Sequence, residues 1–219
     1  MQALIFDFDG LILDTEGPAY HTWSAIYGEH GHDLPLSLWA SAIGTTGGFN
    51  PEEHLEQQLG RKLDAVALRK EYRRRCDEQI AKNPVLPGVR AYLEDAKRLG
   101  LKLGVASSSQ RAWVSGHLAR LGLLNFFQVV KGGDDVAKTK PSPDLYLAAM
   151  QALGVDHGRG IALEDSPNGV LAAKAAGLFC VAVPNALTRQ LSITRADLTL
   201  ESLADVPLAE VLRKAGQAR

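Results

Sequence analysis

Five short apolar runs, four of them ending directly at polar residues and the fifth at Pro184-Asn185, constrain this chain more than any other feature. They lie at Ala3–Phe8, Leu101–Ala106, Phe126–Val130, Gly160–Leu163 and Leu178–Val183. A brief, nearly continuous apolar run is how a strand covered on both faces reads, since neither face meets water. Between the runs lie segments with helical spacing, at Val89–Leu99, Arg111–Leu121, Pro143–Leu153 and Gly169–Ala176. Strand and helix alternating at this interval predict βαβ units with helices on both sides of a parallel sheet. The expected class is α/β, a Rossmann-like doubly wound sheet.

Residues from about Thr15 to Lys82 break the alternation. Leu63, Val66, Ala67, Leu68, Tyr72, Cys76 and Ile80 fall roughly on one helical stripe, with Arg69, Lys70 and Arg73 to Arg75 mostly elsewhere. The expectation is a core of residues 1–15 and 84–219 with an all-helical insert at 16–83. The chain returns through Asn83-Pro84-Val85-Leu86-Pro87-Gly88, where two prolines stiffen the connection. The basic residues read as the solvated side of their helix. The histidines show no metal-ligand spacing; only His21 could approach a cleft, and it reads rather as a surface or core residue, while Tyr20 and Trp23 read as packing residues of the insert.

With 24 Lys+Arg against 25 Asp+Glu, the formal charge is −1, which gives no global attraction to nucleic acid or anionic lipid. Cys76 and Cys180 are too few for a disulfide framework. The N-terminal residues lack a signal peptide's basic region and long apolar stretch, and no window approaches about 18 uninterrupted apolar residues. A cytoplasmic protein with no membrane, nucleic-acid or obligate protein partner is expected.

The chemistry collects where the apolar runs end. Asp7 and Asp9 stand two apart at the close of the first run, so a strand's period of two points both side chains the same way. Ligands of open α/β sheets bind at that edge. Two neighbouring carboxylates need a cation or a shared proton, and Mg²⁺ is the hard, oxygen-seeking candidate. The second run ends in Ser107-Ser108-Ser109 before a helix, where hydroxyls and N–H groups can cradle an anion. Lys140 precedes a Pro-Ser-Pro turn, and the fourth run ends in Glu164-Asp165-Ser166. Acids from two strands, hydroxyls from another and a cation near the third suit phosphoryl transfer through a covalent intermediate.

These residues match a known pattern. Asp7-Phe8-Asp9-Gly10 with Asp14-Thr15-Glu16, Val105-Ala106-Ser107-Ser108-Ser109, Lys140-Pro141-Ser142-Pro143-Asp144 and Leu163-Glu164-Asp165-Ser166-Pro167-Asn168-Gly169 resemble, in order, the four motifs of the haloacid dehalogenase superfamily. The resemblance is closest to its β-phosphoglucomutase-like and phosphoglycolate-phosphatase-like branch, and the helical insert is similar to that branch's mobile cap. It implies Asp7 as nucleophile and metal ligand, and Asp9 as general acid/base with its carbonyl on the metal. It further implies Ser107 and Ser108 as the phosphate site, Lys140 as charge stabiliser, and Asp165 with Glu164 as the rest of a Mg²⁺ site.

The implied activity is Mg²⁺-dependent hydrolysis of a small phosphomonoester, such as a sugar phosphate. The second acid and the acidic pair favour phosphate over a haloacid. A signalling receiver domain would share the acids but should lack the insert and keep its phosphorylated aspartate on a central strand. A β-phosphoglucomutase-type mutase is the alternative reading. Such mutases grip a distal phosphate with an arginine in a Gly-x-x-Arg-like loop, and the corresponding stretch here, Ile43 to Asn50, contains none.

Overall fold

The computed structural model describes residues 1–40, 49–156, 158–191 and 193–218. In chain order its elements are β1 (Ala3–Phe6), α1 (Glu16–Glu29), α2 (Leu36–Ala40), α3 (Pro51–Leu59), α4 (Ala65–Ile80), α5 (Val89–Arg98), β2 (Lys102–Ala106) and α6 (Arg111–Arg120). Then follow β3 (Val129–Lys131), α7 (Asp144–Leu153), β4 (Gly160–Glu164), α8 (Pro167–Ala175), β5 (Phe179–Ala182), β6 (Leu198–Thr199) and α9 (Leu208–Gln217). The strands form one sheet in the order β3-β2-β1-β4-β5-β6, with every pairing parallel.

Period-2 alternation in β1 explains why both faces are covered. Leu4 and Phe6 point into one core with Leu93, Val105, Leu118, Leu163 and Val211, while Ala3 and Ile5 point into another with Tyr146, Met150, Ala162 and Cys180. Helices α5, α6 and α9 therefore lie on one side, α7 and α8 on the other. Each fully buried Leu or Ile contributes about 2 kcal/mol of transfer free energy. The expected doubly wound sheet is present. Beyond the five expected runs, β6 extends the sheet past β5 and α9 covers it.

The segment between β1 and α5 contributes four helices to the described residues. Local capping sets where two of them begin. Asn50 Oδ1 accepts from the N–H groups of Glu52 and Glu53, with Pro51 at the first position of α3, and Asp64 Oδ1 accepts from those of Val66 and Ala67. Trp23, Ile26, Tyr27, Leu34 and Leu55 form a small core of their own, and Trp23 stacks on Tyr72 of α4 with 5.0 Å between ring centroids. Tyr20 meets Trp39, so Tyr20 and Trp23 both pack the insert. Further along α4, Cys76 and Ile80 join the larger core cluster that contains Phe8 and Leu11. Both chain crossings run side by side: Leu13 bridges Val85, Leu86 N–H donates to Ile12 O at 2.9 Å, and Asn83 Nδ2 donates to Asp14 O at 2.8 Å.

Candidate active site

The strand order reverses at β1, whose neighbours are β2 on one side and β4 on the other. The loops after these strands separate there and leave a crevice at their carboxyl ends. A cavity of about 380 Å³ opens at this point. Its floor includes Asp7, Asp9, Ser108, Ser109, Lys140, Asp165 and Ser166, and its roof includes Tyr72, Arg73, Cys76, Asp77 and Ile80 of α4. Glu16 and Trp113 line it as well. The volume suits a small metabolite.

Asp7 extends β1 by one rung, its N–H donating to Leu163 O at 2.9 Å, so the strand itself aims the side chain. Its Oδ1 accepts from Lys140 Nζ at 2.7 Å, and the same ammonium lies 2.6 Å from Glu164 Oε1. Lys140 is buried, and Tyr146 donates its hydroxyl to Glu164 Oε1. Burial alone would weaken the Lys140 charge, but Asp7 and Glu164 together outweigh it and hold the ammonium above its ordinary value. Burial, and then the charge on Glu164, push Asp7 up to about 7 against the pull of Lys140. Asp165 is raised well above the ordinary carboxylate value by burial and then by Asp7 and Glu164.

Carboxylate oxygens of Asp7, Glu164 and Asp165 all lie within 4.8 Å of one another. With all three acids ionised, one lysine leaves an excess of negative charge, which adds to burial in holding protons on Asp7 and Asp165 when no cation is bound, and the donors are all carboxylate oxygens. That donor set fits a hard divalent cation such as Mg²⁺. Asp165 is steadied by Asn185, whose Nδ2 donates to Oδ2 at 2.7 Å. Gly10, at φ +78°, lets the backbone pass so close that a Cβ there would stand 2.3 Å from Asp165 Oδ2. Glu164 is wholly buried, and its Oε2 accepts from the N–H of Asp165 at 3.2 Å and from the Ser166 hydroxyl at 3.4 Å. It stands behind Lys140 and does not line the cavity.

Asp9 sits in a cage of hydroxyls. Thr15 donates to its Oδ1 at 2.9 Å, while Ser107 and Ser109 donate to Oδ2 at 3.0 and 2.7 Å. Ser107 is fully buried, accepts from the Ser109 N–H at 3.0 Å and is not among the lining residues, so its hydroxyl serves Asp9 here. Ser108 lines the cavity, and its N–H has no partner among the described residues.

All the residues singled out from the sequence, Asp7, Asp9, Ser107, Ser108, Lys140, Glu164 and Asp165, thus converge on one site. Thr15, Ser109, Tyr146 and Asn185, to which the sequence assigned no role, hydrogen-bond to these acids. Thr15 and Ser109 belong to the motif segments and could have been found there; Asn185 follows the fifth run, where the same strand-end logic applies. His21 is exposed and lines a different pocket, beside Asp14 and Arg189. Of the basic residues on α4, Arg69, Arg74 and Arg75 are paired with glutamates as a solvated face should be, but Arg73 lines the cavity. Most of the stretch from Ile43 to Asn50 lies outside the described residues; Phe49 packs on His54, and Asn50 caps α3.

The model of the haloacid dehalogenase-like hydrolase family matches residues 4–183. The chain belongs to that family. It is 50% identical to YhcW of Bacillus subtilis over 97% of this chain and 96% of the relative. The phosphorylated carbohydrates phosphatase of Thermotoga maritima is 32% identical, with 81% of this chain and 82% of that protein covered. Among solved structures, a point mutant of CbbY from Rhodobacter sphaeroides in complex with xylulose-(1,5)bisphosphate superposes with a TM-score of 0.75, 30% identity, and coverage of 95% of this chain and 98% of that one. The chain is an enzyme of this hydrolase family, with phosphatases among its relatives. No helix among the described residues is long and apolar enough to cross a membrane.

Proposed function

We propose that this enzyme is a Mg²⁺-dependent phosphatase of small phosphomonoesters, sugar phosphates in the first place, working through an aspartyl phosphate on Asp7. The observation that carries the reading is the Asp7–Lys140–Glu164–Asp165 cluster at the floor of a metabolite-sized cavity, with a second aspartate beside it. The names of the phosphatase relatives support the substrate class.

Lys140 occupies Oδ1 of Asp7, and no hydrogen bond reaches Oδ2 among the described residues. We assign Oδ2 as the attacking atom. It forms a bond to phosphorus as the ester P–O bond breaks, and Asp9 gives a proton to the departing alkoxide. Water then attacks the phosphoryl-aspartate, with Asp9 taking its proton, and phosphate leaves. The hydroxyl cage suits both roles of Asp9, because Thr15, Ser107 and Ser109 each carry a donor and two lone pairs and can serve it ionised or protonated. The Ser108 N–H, Lys140 and, once Asp9 turns to the leaving group, the Ser107 hydroxyl hold the phosphoryl oxygens. Asp7, Asp165 and the Asp9 carbonyl would hold Mg²⁺, with Glu164 behind them. When bound, the ion would neutralise charge on the phosphoryl group and on the acids.

The insert at 16–83 acts as a cap that excludes water from the core of 1–15 and 84–219, turning about the paired crossings at 12–14 and 83–86. A cytoplasmic setting accords with a chain that acts on metabolites. The test is p-nitrophenyl phosphate hydrolysis. Wild type should need Mg²⁺ and stop with EDTA, and Asp7→Asn should lose about 10⁴-fold or more in kcat. Hydrolysis unaffected by either change would refute the reading.

A further inference from the structure

The cavity's roof holds a cation that hydrolysis itself does not use. Along α4, Arg69 Nε lies 2.7 Å from Glu52, Arg74 bridges Glu71 and Glu78 at 2.7 and 2.8 Å, and Arg75 binds Glu71 and Glu29. Arg73 has no ion pair or hydrogen bond among the described residues, and it is the arginine of that helix which lines the cavity. Lys140, the lining cation on the floor, is already engaged by Asp7 and Glu164. Charges around Arg73 in the same cavity are acidic: Asp77 one turn along α4, Glu16 from α1, and Asp9 and Asp165 below. Among the described lining residues Arg73 is thus the cation that no acid already engages.

We infer that Arg73 reads a second anionic group, carboxylate or phosphoryl, on the leaving-group end of the substrate. A guanidinium presents a planar fork of N–H donors that matches either anion bidentately, and closing the insert over the core removes competing water. Because α4 leans on the core through Cys76 and Ile80, Arg73 is carried on a packed helix. Arg73 and Asp7 line the same cavity, one from α4 and the other from the end of β1. The inference rests on the phosphatase reading and narrows its substrate class to phosphomonoesters with an anion at the far end.

The test compares kcat/KM for 2-phosphoglycolate (carboxylate) and fructose 1,6-bisphosphate (phosphoryl) with that for glycerol 1-phosphate (uncharged), in wild type, Arg73→Ala and Arg73→Lys. The expected result is a fall of about tenfold or more in the anionic-to-uncharged ratio for Arg73→Ala, expressed chiefly in KM, with partial recovery in Arg73→Lys. A fall confined to one of the two anionic substrates identifies which anion is read. An unchanged ratio, or an equal loss on all three substrates, overturns the inference. Absence of Mg²⁺-dependent p-nitrophenyl phosphate hydrolysis by wild type would instead sink the phosphatase reading itself.

Discussion

On the floor of the cavity Asp7, Lys140 and Asp165 are buried and tied to named partners, whereas on the roof Arg73 and Asp77 are exposed and stand on one face of a helix. The floor is assembled from five loops that leave one edge of a sheet, so its defining contacts span distant sequence; Lys140 meets Asp7 across 133 positions and Ser107 meets Asp9 across 98. The roof is local, built from residues one turn apart on α4. Groups that carry out the chemistry are held where they cannot vary without loss of packing, while those that would sort substrates sit where a substitution costs little in folding.

That contrast predicts a gradient of effects. Lys140→Met is the harshest, because it leaves Asp7 and Glu164 buried without their cation. It should cost about 3–5 kcal/mol in urea unfolding and about 10²–10³-fold in kcat. Equal stability of mutant and wild type would show that the triad is not a buried ion cluster. Asn185→Ala removes the bond that steadies Asp165 and should weaken Mg²⁺ binding by about tenfold or more in a calorimetric titration, with little change in folding. Unaltered affinity would mean that Asp165 needs no such support.

Glu16 lines the cavity between floor and roof and responds to pH. Burial, then the charges on Asp9 and Asp14, push it up to about 7 from 4.5. Between those values the folded chain keeps a proton that the unfolded chain has released, so this group's stabilising contribution is full below about pH 4.5 and is lost as pH rises to about 7. Glu16→Gln cannot ionise. Its stability relative to wild type should therefore grow across that window, by about 2 kcal/mol once the partial exposure of Glu16 is allowed for. A pH-independent difference in melting would contradict the shift. At the shallow end, Arg73→Ala should move stability by no more than about 0.5 kcal/mol.

What can be read from the sequence follows the same division. Parallel strands buried on both faces announce themselves as apolar runs, and their ends are marked by polar residues, so Asp7, Asp9, Lys140, Glu164 and Asp165 are legible from the chain alone. β6, two residues long, has too little pattern to read, whereas the spacing of Leu208, Val211 and Ala215 does mark α9. Asn185 is illegible in its role because its partner is set by two loops meeting in space. The Ser107 hydroxyl is expected on phosphate, yet the fold turns it toward Asp9, a choice between two nearby acceptors that spacing does not encode. Arg73 reads as part of the solvated face with its neighbours; only the helix's rotation over the cavity separates it from Arg74 and Arg75.

If Asp7 carries the phosphoryl group, acid quenching of the Asp9→Asn variant during a single turnover of ³²P-labelled substrate will trap it there. Slowed hydrolysis of the intermediate should leave label bound to protein, and borohydride reduction should convert Asp7 to homoserine. Label on another residue, or phosphate released with none ever attached to Asp7, would contradict the account.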